Sequence, residues 1–447
     1  PVVLDADVAH LPSAPAGTVE AHGSVNRAPL LLNVALAQDE TGARQIDLKK
    51  LSWNSVQGQG ALSLAAGEVV PLGTLDVKIG RLADLKDVIG QPISGALAAS
   101  VKTTQVNQKP LVALKLDGNV AMPQARIGTL SLAGTVKDPA AHPDADLTLK
   151  LGGLAAAGMT GQARVTARGP DNAMALTAQI GPATWSGSPL SLDTAALLNL
   201  PAKQVRLQKL AATAKQENLR LLAPALISFG KTMGVDRLRV TLGTQGAEPA
   251  TADIAGRIKP TLAATVDVRN LTPALAHPFM PDLHAQGTLA MQAKVSGTME
   301  RPQGQVHLSG NGLRMQGASA AASLPPLHLD ATADLAGTSA KVRMQADAGA
   351  KLALGVNGTA PLTSTGPISL RTSGHLDLAI ANGYLGAQAR QALGQVQLAL
   401  QAEGTLAAPR IAGTVDLQNA EFQDFAQGVH LSAINGRIVG QGNSIVI

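Results

Sequence analysis

Aromatic side chains are almost missing from this chain of 447 residues, which contains four Phe, two Trp and one Tyr. Aromatic residues normally supply much of the bulk of a closed core. Apolar residues nevertheless make up 45% of the sequence, so Leu, Val, Ala and Ile must provide nearly all of the packing. This combination favours either thin two-layer burial or an apolar surface that is left open for a bound molecule.

Cysteine is absent from the sequence. Its absence excludes disulfides, thiolate zinc sites and a cysteine nucleophile. Charged residues make up only 15% of the chain, and the formal net charge is +5. The basic residues form no run of the kind that follows nucleic acid phosphates, and few aromatic rings are present for bases to stack on. We therefore expect no nucleic acid partner.

No long apolar run is present either. The longest mostly apolar stretch, LRLLAPALISF from Leu219, is too short to cross a bilayer and contains Arg220 and Pro224. The first residues lack a starting Met and the parts of a signal peptide, and the last residues end within an alternating pattern. We therefore expect an internal fragment of a longer protein, with any membrane anchor outside these residues.

Histidine, serine and acidic residues form no arrangement typical of an active site. The nine histidines are scattered, and their only cluster, His277, Asp282 and His284, contains prolines that favour a surface loop over metal ligation. The pair Gly297-Thr298 lacks the Lys-Ser/Thr signature of a nucleotide-binding loop. We expect a protein that is not an enzyme, with no catalytic residues, no cofactor and no metal site.

Strict alternation of apolar and polar residues is the dominant pattern of the chain. In LHLDATADLAG, Leu327, Leu329 and Leu335 fall on one face, whereas His328 and Asp330 fall on the other. The segments KVRMQADAG, VQLALQAEG, DRLRVTLG and LVALKLDGNV follow the same rule. This period indicates antiparallel strands with one polar face, and the Gly, Asn, Asp and Pro residues between them indicate tight turns. The predicted fold class is all-β.

Helical spacing of apolar residues is confined to four short segments. Three of them, Leu82–Gly90, Leu271–Phe279 and Tyr384–Leu393, each follow a strand and lead into another strand that opens with Gly. The fourth candidate is Ala223–Met233. Each segment is too short to be stable alone and must pack on a sheet.

The phrase Gly-Thr-x-x-x-Pro marks a repeat. It occurs as GTMERP from Gly297 and as GTLAAP from Gly404, with a looser copy, GTVKDP, from Gly134. We interpret it as a turn in which Gly adopts a special backbone angle and Pro limits the strand pairing. The repeats predict one continuous array without independent domains. It would cover 1–447 in approximate units 75–265, 266–377 and 378–447, the last one truncated.

These phrases resemble those of a known family. GTMERPQGQVHLSG, GTLAAPRIAGTVDLQNAEF and VRNLTPALAHPFMPDLHAQGTLAMQAKVSGT are similar to the recurring segments of the TamB and AsmA-like proteins of Gram-negative bacteria. The final segment, FAQGVHLSAINGRIVGQGNSIVI, resembles a TamB-type hairpin. The resemblance is strongest over 238–447 and diffuse over 1–200.

The resemblance implies a long, strongly curved antiparallel sheet, a β-taco, whose concave face is an apolar groove. It implies a protein of the periplasm, held in the inner membrane by an N-terminal anchor that lies outside this fragment. A C-terminal region, also outside the fragment, would contact a BamA-like outer-membrane partner called TamA. Proteins of this family are associated with phospholipid movement between membranes and with the assembly of outer-membrane proteins.

The residues also support a groove independently of the family. A sheet with one apolar face must cover that face, and this sequence has few helices and few bulky side chains for a second layer. A β-sandwich or solenoid core is one solution, and a groove that holds a foreign apolar molecule is the other. A lining of Leu, Val, Ala and Met offers no hydrogen bonds, which suits an acyl chain. The predicted groove-lining residues are Leu238, Val240, Leu242, Val306, Leu308, Leu313, Met315, Leu327, Leu329, Val342, Met344, Val396, Leu398, Leu400, Val415 and Leu417.

The sequence therefore predicts an intermembrane lipid-transfer protein whose groove carries phospholipid acyl chains. Two alternatives stay open at this point. One is a scaffold that acts with TamA and assembles outer-membrane proteins by offering strand edges. The other is a secreted β-solenoid adhesin, although adhesin repeats are usually shorter and richer in Asp turns or aromatic ladders.

Overall fold

The chain folds into two compact units, Pro1–Gln216 and Glu217–Ile447. A computed structural model describes residues 2–9, 16–39, 41–244, 248–276, 285–315, 325–364, 366–442 and 444–446. In each unit most of the described residues lie in antiparallel β-strands, and helices are few and short. The prediction of an all-β antiparallel fold with a few short helices is confirmed.

The first unit contains fourteen strands, each paired antiparallel with the next one along the chain. This order arises because tight turns join neighbouring strands. The strands are β1 (Val2–Ala9), β2 (Ala16–Val25), β3 (Ala28–Gln38), β4 (Arg44–Trp53), β5 (Val56–Leu64), β6 (Leu72–Ile79), β7 (Ser94–Val106), β8 (Lys109–Met122), β9 (Ala125–Lys137), β10 (Asp144–Ala156), β11 (Met159–Pro170), β12 (Met174–Trp185), β13 (Ser188–Asn199) and β14 (Gln204–Ala214).

The second unit follows the same sequential order. Its first two strands both pair with the third, because Pro224, which has no N–H group, separates them. The strands are β15 (Glu217–Ala223), β16 (Ala225–Ser228), β17 (Met233–Thr244), β18 (Ala250–Lys259), β19 (Leu262–Leu271), β20 (Ala285–Gly297), β21 (Pro302–Met315), β22 (Leu327–Ala336), β23 (Ser339–Asp347), β24 (Leu352–Pro361), β25 (Pro367–Asp377), β26 (Arg390–Thr405), β27 (Ala408–Asp424), β28 (Val429–Gly442) and β29 (Ser444–Val446).

Two-residue turns with left-handed backbone angles join several of these strands. Asn26 and Arg27, between β2 and β3, have φ values of 49° and 64°. Asn107 and Gln108, between β7 and β8, have φ values of 51° and 62°. Paired left-handed residues are typical of hairpin turns whose twist matches that of the strands, and Asn tolerates this conformation well. The tight turns expected from the sequence are thus made by particular residues.

Two of the predicted helices occur where the sequence indicates them. A 3₁₀ turn over Leu82–Leu85 continues into helix α1 (Lys86–Ile89), which ends at Gly90 with a φ of 74°. A second 3₁₀ turn covers Pro273–Ala276; Leu271, predicted as helical, ends β19 instead, and 277–279 lie outside the described residues. Both segments join neighbouring antiparallel strands in place of a tight turn.

The third helical segment begins earlier than predicted. It consists of a 3₁₀ turn over Leu378–Ala381, helix α2 (Asn382–Leu385) and a further 3₁₀ turn over Gly386–Gln388. The segment begins at this point because the carboxylate of Asp377 accepts a hydrogen bond from the Ala379 N–H at 2.8 Å. Residues from Arg390 onwards already belong to β26. The fourth predicted helix, Ala223–Met233, is wrong, because Ala225–Ser228 form strand β16 instead.

The first Gly-Thr-x-x-x-Pro phrase forms the turn between β20 and β21. Gly297 has a φ of 102°, and a Cβ atom at that position would lie 2.6 Å from the Arg301 carbonyl oxygen. The Thr298 hydroxyl accepts a hydrogen bond from the Arg301 N–H at 3.1 Å. Pro302 then opens β21 and pairs with Gly297. The phrase is therefore a turn whose glycine and threonine both have structural roles.

The second copy of the phrase repeats this geometry between β26 and β27. Gly404 has a φ of 98°, and a Cβ atom there would lie 2.6 Å from the Ala408 carbonyl oxygen. The Thr405 hydroxyl accepts a hydrogen bond from the Ala408 N–H at 3.2 Å. The looser copy differs, because Gly134 lies within β9 rather than at a turn.

A local geometry recurs after each of the three helical segments. The strand that follows carries a glycine with positive φ, and a Cβ atom on that glycine would press against an asparagine of the next strand. The added Cβ atom would lie 2.2 Å from the Asn119 carbonyl oxygen at Gly95, 2.7 Å from that of Asn311 at Gly287 and 2.9 Å from that of Asn419 at Gly394. This recurrence accompanies the sequence repeats, whereas the continuous array and its unit boundaries remain predictions.

Candidate functional site: the apolar faces of the two units

Cross-strand pairing in the second unit aligns apolar residues into continuous rows. Side chains of paired residues project to the same face of a sheet, and alternate residues along a strand share that face. Three adjacent rows cross the unit in this way. The central row contains Leu221, Val240, Ala252, Val268, Met291, Leu308, Ala331, Met344, Val356, Thr372, Leu400 and Gly413.

The rows on either side of it are equally apolar. One contains Leu238, Ile254, Val266, Ala293, Val306, Ala333, Val342, Gly358, Leu370, Ala402 and Ile411. The other contains Leu271, Leu289, Gly310, Leu329, Ala346, Leu354, Gly374, Leu398, Val415 and Ile438. None of these three rows contains an ionisable residue. We call this surface the apolar face of the second unit.

The structure brings the predicted groove-lining residues together on this face. Leu313 pairs with Leu327, Val396 pairs with Leu417, and Leu242 pairs with Leu219 and Ala250, so these residues extend the same surface. Every predicted residue whose side chain is described is half-buried. Met315 pairs with Ala285 in the backbone, and its side chain lies outside the described set.

An equivalent apolar face in the first unit was not among the predicted site residues. The alternation of apolar and polar residues in segments such as LVALKLDGNV is the signal that marks this face in the sequence. A representative row contains Ala6, Val19, Val34, Leu48, Gly60, Leu75, Val101, Leu114, Gly134, Leu147, Ala167, Leu176, Ala196 and Leu207.

Burial shows that neither face is closed like an ordinary core. Among the described residues no large side chain is fully buried, and the buried apolar residues are mostly alanines, with Leu82, Met174 and Ile368 as the larger exceptions. The leucines of the rows, such as Leu308, Leu329 and Leu398, are half-buried rather than buried. A covering second sheet would bury the central leucines, so these side chains remain accessible from above the face.

Glycines are set among the leucines of the apolar rows. Gly358, Gly374 and Gly413 have φ values of 144°, 159° and 128°, and a Cβ atom on any of them would lie within 2.1 Å of a neighbouring carbonyl oxygen. Leu370 pairs with Gly358, and Leu398 pairs with Gly374. Glycine kinks and bulges are the devices that bend a sheet. They also give the leucines beside them room on the face.

The opposite faces carry the charges, and some of these charges are paired across strands. Arg237 contacts Asp253 through two hydrogen bonds of 3.0 Å and one of 2.6 Å. Hydrogen bonding by Arg237 lowers the pKa of Asp253 from its ordinary value. Arg168 with Asp146, at 3.0 Å, is a similar pair in the first unit. Each sheet therefore has one wet charged face and one apolar face.

One ion pair is more enclosed than the others. Asp424, at the end of β27, is only 4% exposed and accepts a hydrogen bond from Arg390 Nε at 2.9 Å. Its other oxygen accepts the N–H groups of Ala426 and Gln427 at 3.1 Å and 3.0 Å. Hydrogen bonding by Arg390 lowers the pKa of the Asp424 carboxyl. This pair fixes the turn between β27 and β28.

Four hollows on the described surface are considered as candidate sites. Three are lined mainly by polar-face residues, namely those around Lys78, around Lys294 and around Lys150. The fourth, of about 260 Å³, is lined partly by Leu242 and Glu217, and burial raises the pKa of Glu217. Of the predicted groove residues, only Leu242 lines one of these four hollows.

Within the described ranges, no group of three or more His, Asp or Glu side chains is arranged to hold a metal ion. The predicted cluster of His277, Asp282 and His284 lies outside those ranges. No described helix has the length and apolar character needed to cross a bilayer.

Comparisons with known proteins give no identification. No protein-family model matches the chain, and no curated protein matches it. The apolar faces are therefore interpreted from their own geometry.

Proposed function

We propose that this protein binds lipid acyl chains on its apolar faces and carries them between membranes. The observation that supports the proposal is the set of continuous, mostly half-buried apolar rows, over which the described residues of each unit form no covering layer. A soluble protein rarely leaves so large a contiguous apolar surface unpartnered unless it binds something there.

The length of the apolar rows suits a conduit better than a single pocket. Neighbouring strands are about 4.8 Å apart, so fourteen strands give an apolar strip of roughly 60 Å measured along the first unit. Alternate residues along one strand are about 6.7 Å apart, so three rows cover a width of roughly 13 Å in the second unit. These dimensions accommodate several acyl chains in succession.

The energetic role of such a surface is to replace water. A phospholipid with about 30 methylene groups pays about 0.8 kcal/mol for each one exposed to water, or on the order of 25 kcal/mol in all. A continuous apolar surface removes most of this cost, because the chains stay in apolar surroundings throughout. Transfer between two bilayers is then nearly neutral in free energy, and no catalytic group is required.

The composition of the rows predicts binding that does not select a particular acyl chain. Leu, Val, Ala and Met side chains attract methylene groups without hydrogen bonds, and the three described rows contain no charge that would select a particular chain. Binding should therefore depend on total apolar contact rather than on chain identity. The intermembrane setting of the proposal comes from the sequence resemblance to TamB and AsmA-like proteins.

Site-specific photo-crosslinking tests the proposal with controls inside the same strands. A photoreactive amino acid is placed at Leu308 or Leu329, on the apolar face, and at His307 or Asp330, their neighbours on the polar face. The chain is expressed in cells and irradiated, and covalently attached lipid is measured by mass spectrometry. We expect lipid adducts at the two leucine positions and none at the two polar positions.

Equal labelling of both faces would indicate nonspecific contact with membranes and would contradict the proposal. Adducts to strands of other proteins at the leucine positions, without lipid, would support the scaffold alternative instead. Circular dichroism spectra of each variant show whether the sheet has formed.

A further inference from the structure

A second feature of the first unit is unrelated to the apolar face. A hollow of about 690 Å³ lies on the polar face across β4 to β8. Its volume is within the range of small-molecule sites. Four of its lining residues are lysines, Lys49, Lys50, Lys78 and Lys115. Two are aspartates, Asp76 and Asp117, so the lining carries more positive than negative charge.

A β-bulge places two of these lysines side by side. In a regular strand, neighbouring residues point to opposite faces. Leu48 and Leu51 both belong to apolar rows, and the register of β4 against β5 shifts between them. Both Lys49 and Lys50 therefore lie between two positions of the apolar face and line the same polar hollow. Bulges commonly redirect side chains in this way.

Three of the four lysines of the hollow have no carboxylate partner. Among the described residues, no carboxylate lies within 4.0 Å of the Lys49, Lys50 or Lys78 ammonium group, whereas Lys115 contacts Asp117 at 3.4 Å. Concave sites with an excess of one charge concentrate ligands of the opposite charge.

We propose that this hollow binds a compact anion that carries two or more phosphate groups. Lysine ammonium groups bind phosphate as point charges through charge-assisted hydrogen bonds. Three ammonium groups that line one hollow without carboxylate partners match a ligand with several negative charges better than a single carboxylate. Ser52 and Ser100, which also line the hollow, can donate further hydrogen bonds to phosphate oxygens. The phosphate groups can belong to a soluble anion or to a lipid headgroup.

Calorimetric titration of the full chain with sodium tripolyphosphate in low-salt buffer tests the site. The test variant is Lys49→Gln/Lys50→Gln/Lys78→Gln. The control is Lys137→Gln/Lys203→Gln/Lys231→Gln, which removes the same charge outside the hollow. We expect binding to one site, a loss of at least about tenfold in affinity for the test variant, and a change of less than about twofold for the control.

Vesicle sedimentation distinguishes the two sources of phosphate. Phosphatidylcholine vesicles with and without phosphatidic acid are compared for the same three proteins. If the test substitutions weaken binding to phosphatidic acid vesicles but not to tripolyphosphate, the site is assigned to a lipid headgroup. An equal loss in test and control variants, or no effect of the test substitutions on either ligand, would overturn the proposal. Matching thermal unfolding curves confirm that both variants fold.

Discussion

Replacing a single glycine on the apolar face should destabilise the second unit strongly. Gly358 in β24 has a φ of 144°, and a Cβ atom there would lie 2.0 Å from the Ser369 carbonyl oxygen. Gly355, in the same strand, pairs with Gln345 and Ser373 on the polar face. A Cβ atom at Gly355 would meet its nearest neighbour at 3.8 Å, which is ordinary contact. Gly355→Ala is therefore a matched control for Gly358→Ala.

The expected difference between these variants follows from the two geometries. A residue other than glycine in such a backbone conformation costs about 1–3 kcal/mol, before the steric clash with Ser369 is added. We expect Gly358→Ala to lose at least about 3 kcal/mol of unfolding free energy. For a unit of this size that loss lowers the Tm by about 6–12 °C. Gly355→Ala should be neutral or slightly stabilising, because alanine restricts the unfolded chain.

Thermal unfolding, monitored through the circular dichroism signal of the β-strands, measures the Tm of both variants. A Gly358→Ala variant with the Tm of the unmodified protein would refute the assignment of Gly358 to a kink that only glycine can form. Equal destabilisation by the two substitutions would refute the distinction between the faces of β24.

Three further predictions concern the apolar face, two turns and the Asp424 ion pair. Leu398→Arg should weaken binding of a fluorescent fatty acid by more than about tenfold, since a charge among acyl chains is costly to desolvate, whereas Gln397→Arg on the other face should leave it unchanged. The double variant Thr298→Val/Thr405→Val should lower stability by about 1 kcal/mol per site, measured by urea unfolding, because each turn loses one hydrogen bond; an unchanged midpoint would contradict this role. Hydrogen bonding by Arg390 lowers the pKa of Asp424 in the folded protein. The ion pair therefore contributes fully to stability above the ordinary carboxyl pKa of 3.8, and this contribution is lost as the pH falls through the lowered pKa of the folded state. The Tm difference between the unmodified protein and Asp424→Asn should thus shrink below pH 3.8, and a constant difference would exclude the ion pair as its cause.

The period of two predicted the fold because it depends only on short-range geometry. Leu327, Leu329 and Leu335 alternate with polar residues, and the structure places them on one face of β22 because the strand is regular. Antiparallel pairing with sequence neighbours then extends that face from strand to strand. The same logic, applied to β21 and β26, explains why the predicted groove-lining residues of these strands share one face.

Irregular positions could not be predicted in this way. Lys49 and Lys50 read as one apolar-face and one polar-face residue if β4 is regular, and only the observed bulge places both in the same hollow. Bulges depend on the register between two strands, which a single sequence does not specify. The sequence alone therefore could not predict that Lys49 and Lys50 line the same hollow, because this depends on the register.

The errors in helix prediction have a similar origin. The segment Ala223–Met233 has helical spacing of apolar residues, but β17 offers hydrogen bonds that Ala225–Ser228 satisfy as a strand. At the third helical segment, the cap formed by Asp377 decides where the helix begins. Short segments have little intrinsic preference for helix, so tertiary contacts determine their conformation.

Native mass spectrometry of the full chain tests the central claim most directly. The chain is purified from cells in a detergent that does not displace bound lipid. The account predicts phospholipid bound to the unmodified chain, with mixed acyl chains, and its loss in a variant that carries Leu308→Arg, Leu329→Arg and Leu398→Arg. A folded chain that emerges free of lipid would contradict it, as would equal lipid binding by the folded triple variant.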